Sequence, residues 1–128
     1  MENPNKLNIL IIEDESVFRL IYRGVLENAG YHVLEAENGV MGWELVKKKK
    51  PDLVLLDLIL PELSGYEVLK KIRGNEETKE IPVIIFSVLG AGTDIQKALD
   101  LGANYYRVKG SNSPSEILSY IQKLLEKK

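Results

Sequence analysis

The sequence predicts an α/β domain: a five-stranded parallel sheet with helices on both faces, formed by residues 1–128 as one unit. Short runs rich in Ile, Val and Leu alternate five times with stretches whose apolar residues recur at helical spacing. Three of the runs, around ILII, LVLL and VIIF, are apolar throughout, the pattern of strands covered on both faces. Repeated strand, helix, strand units close through right-handed crossovers, which brings all the strand carboxyl ends to one edge.

The elements follow in order. Residues 7–12 form the first strand, and Phe18, Ile21, Tyr22, Val25 and Ala29 mark the buried stripe of the first helix. Gly30 then offers a left-handed cap before a strand at 31–35. Val40, Trp43, Leu45 and Val46 stripe the second helix, which runs into Lys47 to Lys50 and stops at Pro51. Those lysines read as a solvated run favoured by the negative end of the helix dipole. A strand at 53–56 leads to a helix carrying Val68, Leu69 and Ile72, with Gly74 as its expected left-handed cap. A strand at 83–86 is followed by Gly90, Ala91 and Gly92, a loosely held entry to the helix of Ile95, Ala98 and Leu101, which Gly102 closes. The fifth strand is 104–108. Ser113, Pro114 and Glu116 then spell a capping box with a first-turn proline, opening a helix striped by Ile117, Leu118, Ile121, Leu124 and Leu125.

Composition narrows the function classes. A chain of 128 residues, 45% hydrophobic and 28% charged, is one ordinary globular domain that buries roughly two thirds of its unfolded surface. A net charge of -2 supplies no broad positive field for nucleic acid or anionic lipid. The absence of cysteine rules out disulfides, thiolate metal sites and thiol nucleophiles, and a single histidine argues against histidine-rich zinc. No apolar run approaches the roughly 20 residues that span a bilayer, and MENPNK lacks the pattern of a secretory leader. The expectation is a cytoplasmic protein.

Chemistry enters at the strand ends. NILII ends at Glu13 and Asp14, LVLL at Asp57, VIIF at Ser87, and YYRV at Lys109. On one sheet edge these form a set suited to phosphoryl transfer. The three carboxylates offer oxygen ligands to a hard cation, and magnesium suits them because it binds oxygen and commonly sits beside phosphate. Asp57 is the candidate nucleophile: its carboxylate needs no general base, and attack on phosphorus gives an acyl phosphate. The transferred group spreads negative charge over three oxygens, for which the cation, the Lys109 ammonium and the Ser87 hydroxyl are the matching partners. Singly, Ser87 is an ordinary loop serine and Lys109 an ordinary surface lysine; jointly they complete a site.

The run LNILIIEDE, the motif DLILPELSG from Asp57 to Gly65 with Pro61 four residues after the aspartate, the segment IPVIIFS and the segment YRVK together resemble a response regulator receiver domain of two-component signalling, across essentially the whole chain. The resemblance implies the flavodoxin-like, doubly wound strand order 2-1-3-4-5 with five helices and the site at the carboxyl edge. It implies that Asp57 accepts a phosphoryl group from the phosphohistidine of a histidine kinase or histidine phosphotransfer protein. Glu13, Asp14, Asp57 and the main-chain carbonyl of Ile59 would hold magnesium, and Ser87 and Lys109 would contact phosphoryl oxygens. Ser87 and Tyr106 take the switch role, biasing a two-state equilibrium that a partner reads around the fourth helix, fifth strand and fifth helix. Output then passes to a downstream protein target or to an output domain outside this chain, without direct contact to nucleic acid or membrane. Such a domain is not an enzyme in the turnover sense: it phosphorylates itself and slowly dephosphorylates itself.

Four positions depart from the family pattern. Lys109 is followed by Gly110 where proline, often after a cis peptide, is usual; a cis bond before glycine costs about 2.5–4 kcal/mol, so a trans Lys109–Gly110 peptide is expected. Val88 replaces a small residue beside the site. Ile59 and Leu89 are apolar where side chains flank an attacking water, which predicts slow loss of the phosphoryl group. Three rivals remain. A haloacid-dehalogenase-type phosphatase wants a second aspartate two residues after the nucleophile, where this chain has Ile59. A flavin-binding module wants a phosphate loop after the first strand, where Glu13, Asp14 and Glu15 repel phosphate. A receiver-like interaction module that never takes phosphate would follow if Gly110 and Val88 disable the site.

Overall fold

The computed structural model describes residues 6–111 and 113–126. Five strands, β1 (Asn8–Ile12), β2 (His32–Ala36), β3 (Leu53–Leu56), β4 (Val83–Ser87) and β5 (Tyr105–Val108), form one parallel sheet in the order β2-β1-β3-β4-β5. Helices α1 (Ser16–Asn28), α2 (Gly39–Lys49), α3 (Gly65–Arg73), α4 (Gly92–Asp100) and α5 (Pro114–Leu125) connect them. The expected fold class, strand order and helix count are all observed.

Alternation along the strands sorts the core into two layers, because successive side chains point to opposite faces. Leu10, Ile12, Val54, Leu56, Val83 and Ile85 pack on α2, α3 and α4 through Val46, Val68, Leu69, Ile72 and Ala98. Ile9, Ile11, Leu53, Leu55, Ile84 and Phe86 pack on α1 and α5 through Tyr22, Leu26, Ile117, Ile121 and Leu125. The central strands β3 and β4 are buried at every residue, which is why LVLL and VIIF are unbroken apolar runs, with Ser87 the buried polar residue that ends β4. On α3, Val68, Leu69 and Ile72 are fully buried, each contributing about 1.5–3 kcal/mol of apolar burial to a nine-residue helix that could not persist alone.

The stops behave largely as read. Gly30 and Gly102 have φ of 99° and 105°, but Gly74 has φ of -88° and ends α3 in a right-handed conformation, correcting the left-handed cap expected there. The left-handed cap of α2 is Lys50, at φ 43°. Ser113 and Glu116 form the reciprocal capping box, with Pro114 in the first turn. Lys47, Lys48 and Lys49 occupy the last turn of α2, where Lys47 pairs with Glu44 at 3.0 Å. No described helix is long and apolar enough to cross a membrane.

At the amino edge of the sheet, Arg73 ties α3 to the segments entering β4 and β5. Its guanidinium donates to the carbonyls of Ile81 (2.7 Å), Gly102 (3.0 Å) and Lys79 (3.1 Å) and to Asn104 Oδ1 (3.0 Å). Asn104 Oδ1 in turn accepts the Val83 N–H at 2.8 Å, fixing the start of β4.

Candidate phosphoryl-acceptor site

The sheet itself places the site residues. The hydrogen-bond ladder runs one residue past each strand: Glu13 N–H donates to the Ala36 carbonyl (3.0 Å), Asp57 N–H to Ile12 (3.0 Å) and Lys109 N–H to Ser87 (2.8 Å). Backbone positions at three strand ends are therefore set by the register of the neighbouring strand. Gly65 fixes the approach of α3: a Cβ there would lie 2.2 Å from the Asp57 carbonyl oxygen and 2.6 Å from the Leu58 Cα, so any side chain would push the helix off the end of the strand that carries Asp57. Its N–H donates to the Leu58 carbonyl at 2.9 Å, and Ser64 caps the helix by accepting from Glu67 N–H at 3.3 Å. These contacts give the glycine of the DLILPELSG motif its physical reason.

Glu13, Asp14 and Asp57 converge, with one carboxylate oxygen of each within 4.8 Å of the others. Glu13 and Asp57 are buried, and Asp14 is exposed. The Lys109 ammonium lies between the two buried acids, paired closely with Glu13 Oε1 and at 3.2 Å from Asp57 Oδ2. Burial pushes the Glu13 carboxyl up from its usual 4.5 to about 7, despite hydrogen bonds from Lys109 and the Glu15 N–H that oppose the rise. Burial alone would lower the Lys109 ammonium, but Glu13 and Asp57 outweigh it and hold it above its ordinary value. Glu13 and Asp57 share one ammonium and Asp14 adds a further carboxylate to the cluster, so negative charge is in excess. All-oxygen donors, close approach and a buried carboxyl short of countercharge fit a hard divalent cation.

Gly110 does not displace Lys109. The peptide between them is trans, as expected, and Gly110 at φ 87° lets a tight turn close from Val108 to Ser111 (N–H to carbonyl 3.1 Å). Proline, held near φ -65°, has no place in that turn. Ile59 touches the cluster through its N–H, which donates to Asp57 Oδ1 at 3.3 Å, while its side chain is half exposed, as is that of Val88. The Ser87 hydroxyl is buried and accepts from Leu89 N–H at 3.3 Å. Tyr106 is turned inward and buried, its hydroxyl donating to the Leu89 carbonyl, and burial pushes its phenol up to about 12. Leu89 thus joins the two expected switch residues through its main chain.

Residues of α1 complete the site without having been singled out in the sequence. Arg19 donates to the Glu13 carbonyl at 2.6 Å and pairs with Glu35 at 3.3 Å, and the Phe18 ring centroid lies 4.4 Å from the Lys109 ammonium. The available signal is positional: α1 starts two residues after the acidic pair, so its first turn must overhang it. His32 starts edge strand β2, and Trp43 packs against the core with Lys47 over its ring.

Residues 9–122 match the family described as response regulator receiver domain. The chain is 36% identical over 119 residues to the phosphate regulon transcriptional regulatory protein PhoB of Pseudomonas aeruginosa, covering 93% of this chain and 52% of that protein. It is 37% identical over 105 residues to the chemotaxis protein CheY1 of Helicobacter pylori, covering 80% and 85%. Thus the chain spans about half the length of the transcriptional regulator but most of the chemotaxis protein. Among solved structures, the receiver domain of the sensor histidine kinase PA1611 from Pseudomonas aeruginosa, with a magnesium ion coordinated in its active-site cleft, superposes with a TM-score of 0.86 at 26% identity, covering 94% of this chain and 98% of that one.

Proposed function

The chain belongs to the response regulator receiver domain family of two-component signalling, and from that premise we propose that Asp57 is its phosphoryl acceptor and that magnesium is its metal. One observation carries the reading: a single ammonium, Lys109, is held between buried Glu13 and Asp57 in a cluster of three acids. In the proposed step an Asp57 oxygen forms the bond to phosphorus while the P–N bond of a phosphohistidine breaks, its electron pair leaving on the donor imidazole. Glu13, Asp14, Asp57 and the Ile59 carbonyl would hold the metal, which when bound offsets the charge of the phosphoryl oxygens. Lys109 meets another oxygen as an ammonium already poised 3.2 Å from Asp57. Ser87 is the third partner, and Leu89 carries its displacement to Tyr106.

This reading makes a histidine kinase or phosphotransfer protein the donor and a downstream protein, or an output domain, the recipient of the signal. It carries a cytoplasmic location with it, and it limits the chemistry to the chain's own aspartyl phosphate. The test is incubation with magnesium and acetyl phosphate followed by intact mass measurement. A single phosphate adduct that disappears in Asp57→Asn is expected; an unmodified wild-type mass overturns the reading in favour of an inert interaction module.

A further inference from the structure

Glu15 stands at the N-cap of α1 without capping it. Short polar side chains cap by accepting from the first turn; the longer Glu15 carboxylate instead reaches Lys109, with Oε1 3.5 Å from Nζ. Its own N–H donates to Glu13 Oε2 at 3.0 Å. Glu15 therefore touches the site twice, by main chain on Glu13 and by side chain on Lys109. The Lys109 side chain is 3% exposed and its ammonium is divided among three carboxylates, two on buried side chains and the third, that of Glu15, on a side chain 56% exposed. Among the described residues the oxygen cluster suited to a metal comprises Glu13, Asp14 and Asp57 and does not include Glu15. Its charge is thus directed at the ammonium rather than at a metal ion.

We infer that Glu15 is a positioning residue that occupies the solvent side of Lys109 and competes with an incoming phosphoryl group for it, slowing acceptance from anionic donors. The inference rests on the reading of Asp57 as acceptor. A phosphoryl oxygen reaching Lys109 must displace one of its carboxylates. Glu13 and Asp57 are fixed by the strand ladder, whereas Glu15 can swing into water. Until it does, its charge repels the donor across an exposed gap that salt screens.

Glu15→Gln keeps the size and removes the charge. At low ionic strength it is expected to take phosphoryl from acetyl phosphate with magnesium about threefold faster, through a lower donor KM at an unchanged maximal rate, and the gain fades in high salt as screening shortens the reach of the charge. Glu15→Asp restores the slower rate. Affinity for magnesium alone, measured by calorimetry, stays as in the wild type. In the metal-free protein, the NMR signal of the Lys109 ammonium shifts and exchanges faster with water in Glu15→Gln. Equal, salt-independent rates overturn the inference, and so does a large loss of magnesium affinity, which would make Glu15 a ligand. An ammonium signal identical in the two proteins overturns it even if neither takes phosphate, whereas absence of an adduct on both refutes the acceptor reading itself.

Discussion

At the amino edge of the sheet the cation Arg73 lies among carbonyl oxygens; at the carboxyl edge the cation Lys109 lies among carboxylates. Four neutral oxygens accept from the guanidinium, so Arg73 is satisfied and leaves nothing for a ligand to improve. Lys109 faces three acids that it cannot neutralise alone, and a divalent cation or a rearranged partner lowers the energy of that edge. The difference teaches a division of labour: at the amino edge the segments entering β4 and β5 are locked by hydrogen bonds to neutral oxygens, and the carboxyl edge holds an imbalance that binding relieves.

The sharpest way to break that division is Arg73→Ala. It leaves the Lys79, Ile81 and Gly102 carbonyls without their guanidinium donor, while Asn104 Oδ1 keeps only the Val83 N–H, and several lost bonds to a charged group cost about 3 kcal/mol or more. The urea midpoint is expected to fall accordingly, while phosphate adduct formation per folded molecule stays unchanged. A loss of acceptance in the folded fraction would show that the two edges are not separable.

A somewhat smaller effect belongs to Glu13, whose folded value of about 7 stands above its usual 4.5. The folded state then binds the proton more tightly than the unfolded chain. The stability from this group is full below about 4.5 and is lost as pH rises through about 7, a change on the order of 3 kcal/mol. It is measured without metal, as the difference in unfolding free energy between the wild type and Glu13→Gln across that window. Saturating magnesium should flatten the difference, because a metal binds the deprotonated carboxylate. A pH-independent difference would mean that Glu13 is not the strained member of the cluster.

The contrast between the edges also explains what the sequence made legible. Strand runs, helix stripes and the acids, hydroxyl and lysine at the strand ends all obey local periodicity and topology, so the fold and the converging set of Glu13, Asp14, Asp57, Ser87 and Lys109 could be read directly. Arg73 could not. Its partners Lys79, Ile81, Gly102 and Asn104 are main-chain carbonyls and an amide up to 31 residues away, and a carbonyl leaves no mark in a sequence. Gly74 misled for a related reason: a glycine after a helix permits a left-handed cap without requiring one. Arg19 goes unread, and Glu15 reads only as one of three acids that repel phosphate, because the contacts of both depend on where long side chains turn.

Ile59 offers a kinetic measure of the carboxyl edge. Half exposed and apolar beside Asp57, its side chain gives an attacking water no hydrogen-bond partner. In Ile59→Asn the amide can orient that water, and the phosphoryl lifetime, followed by mass after the donor is removed, is expected to shorten severalfold. An unchanged lifetime would place control of the water elsewhere in the site.

Gly110 gives the smallest effect and the finest test of how Lys109 is held. A Cβ at Gly110 would meet nothing within 4 Å, so Gly110→Ala suffers only from φ of 87°, worth about 1 kcal/mol. Gly110→Asn should recover part of that, since asparagine tolerates the left-handed region, and Gly110→Pro should lose more, because proline cannot reach it at all. In the alanine variant Lys109 is expected to keep its place: its N–H is fixed to the Ser87 carbonyl at 2.8 Å, upstream of the strained residue. Phosphate acceptance should therefore survive Gly110→Ala while the urea midpoint drops slightly. If acceptance falls as far as in Lys109→Ala, the turn and not the strand ladder aims the ammonium, and the carboxyl edge owes its geometry to a loop.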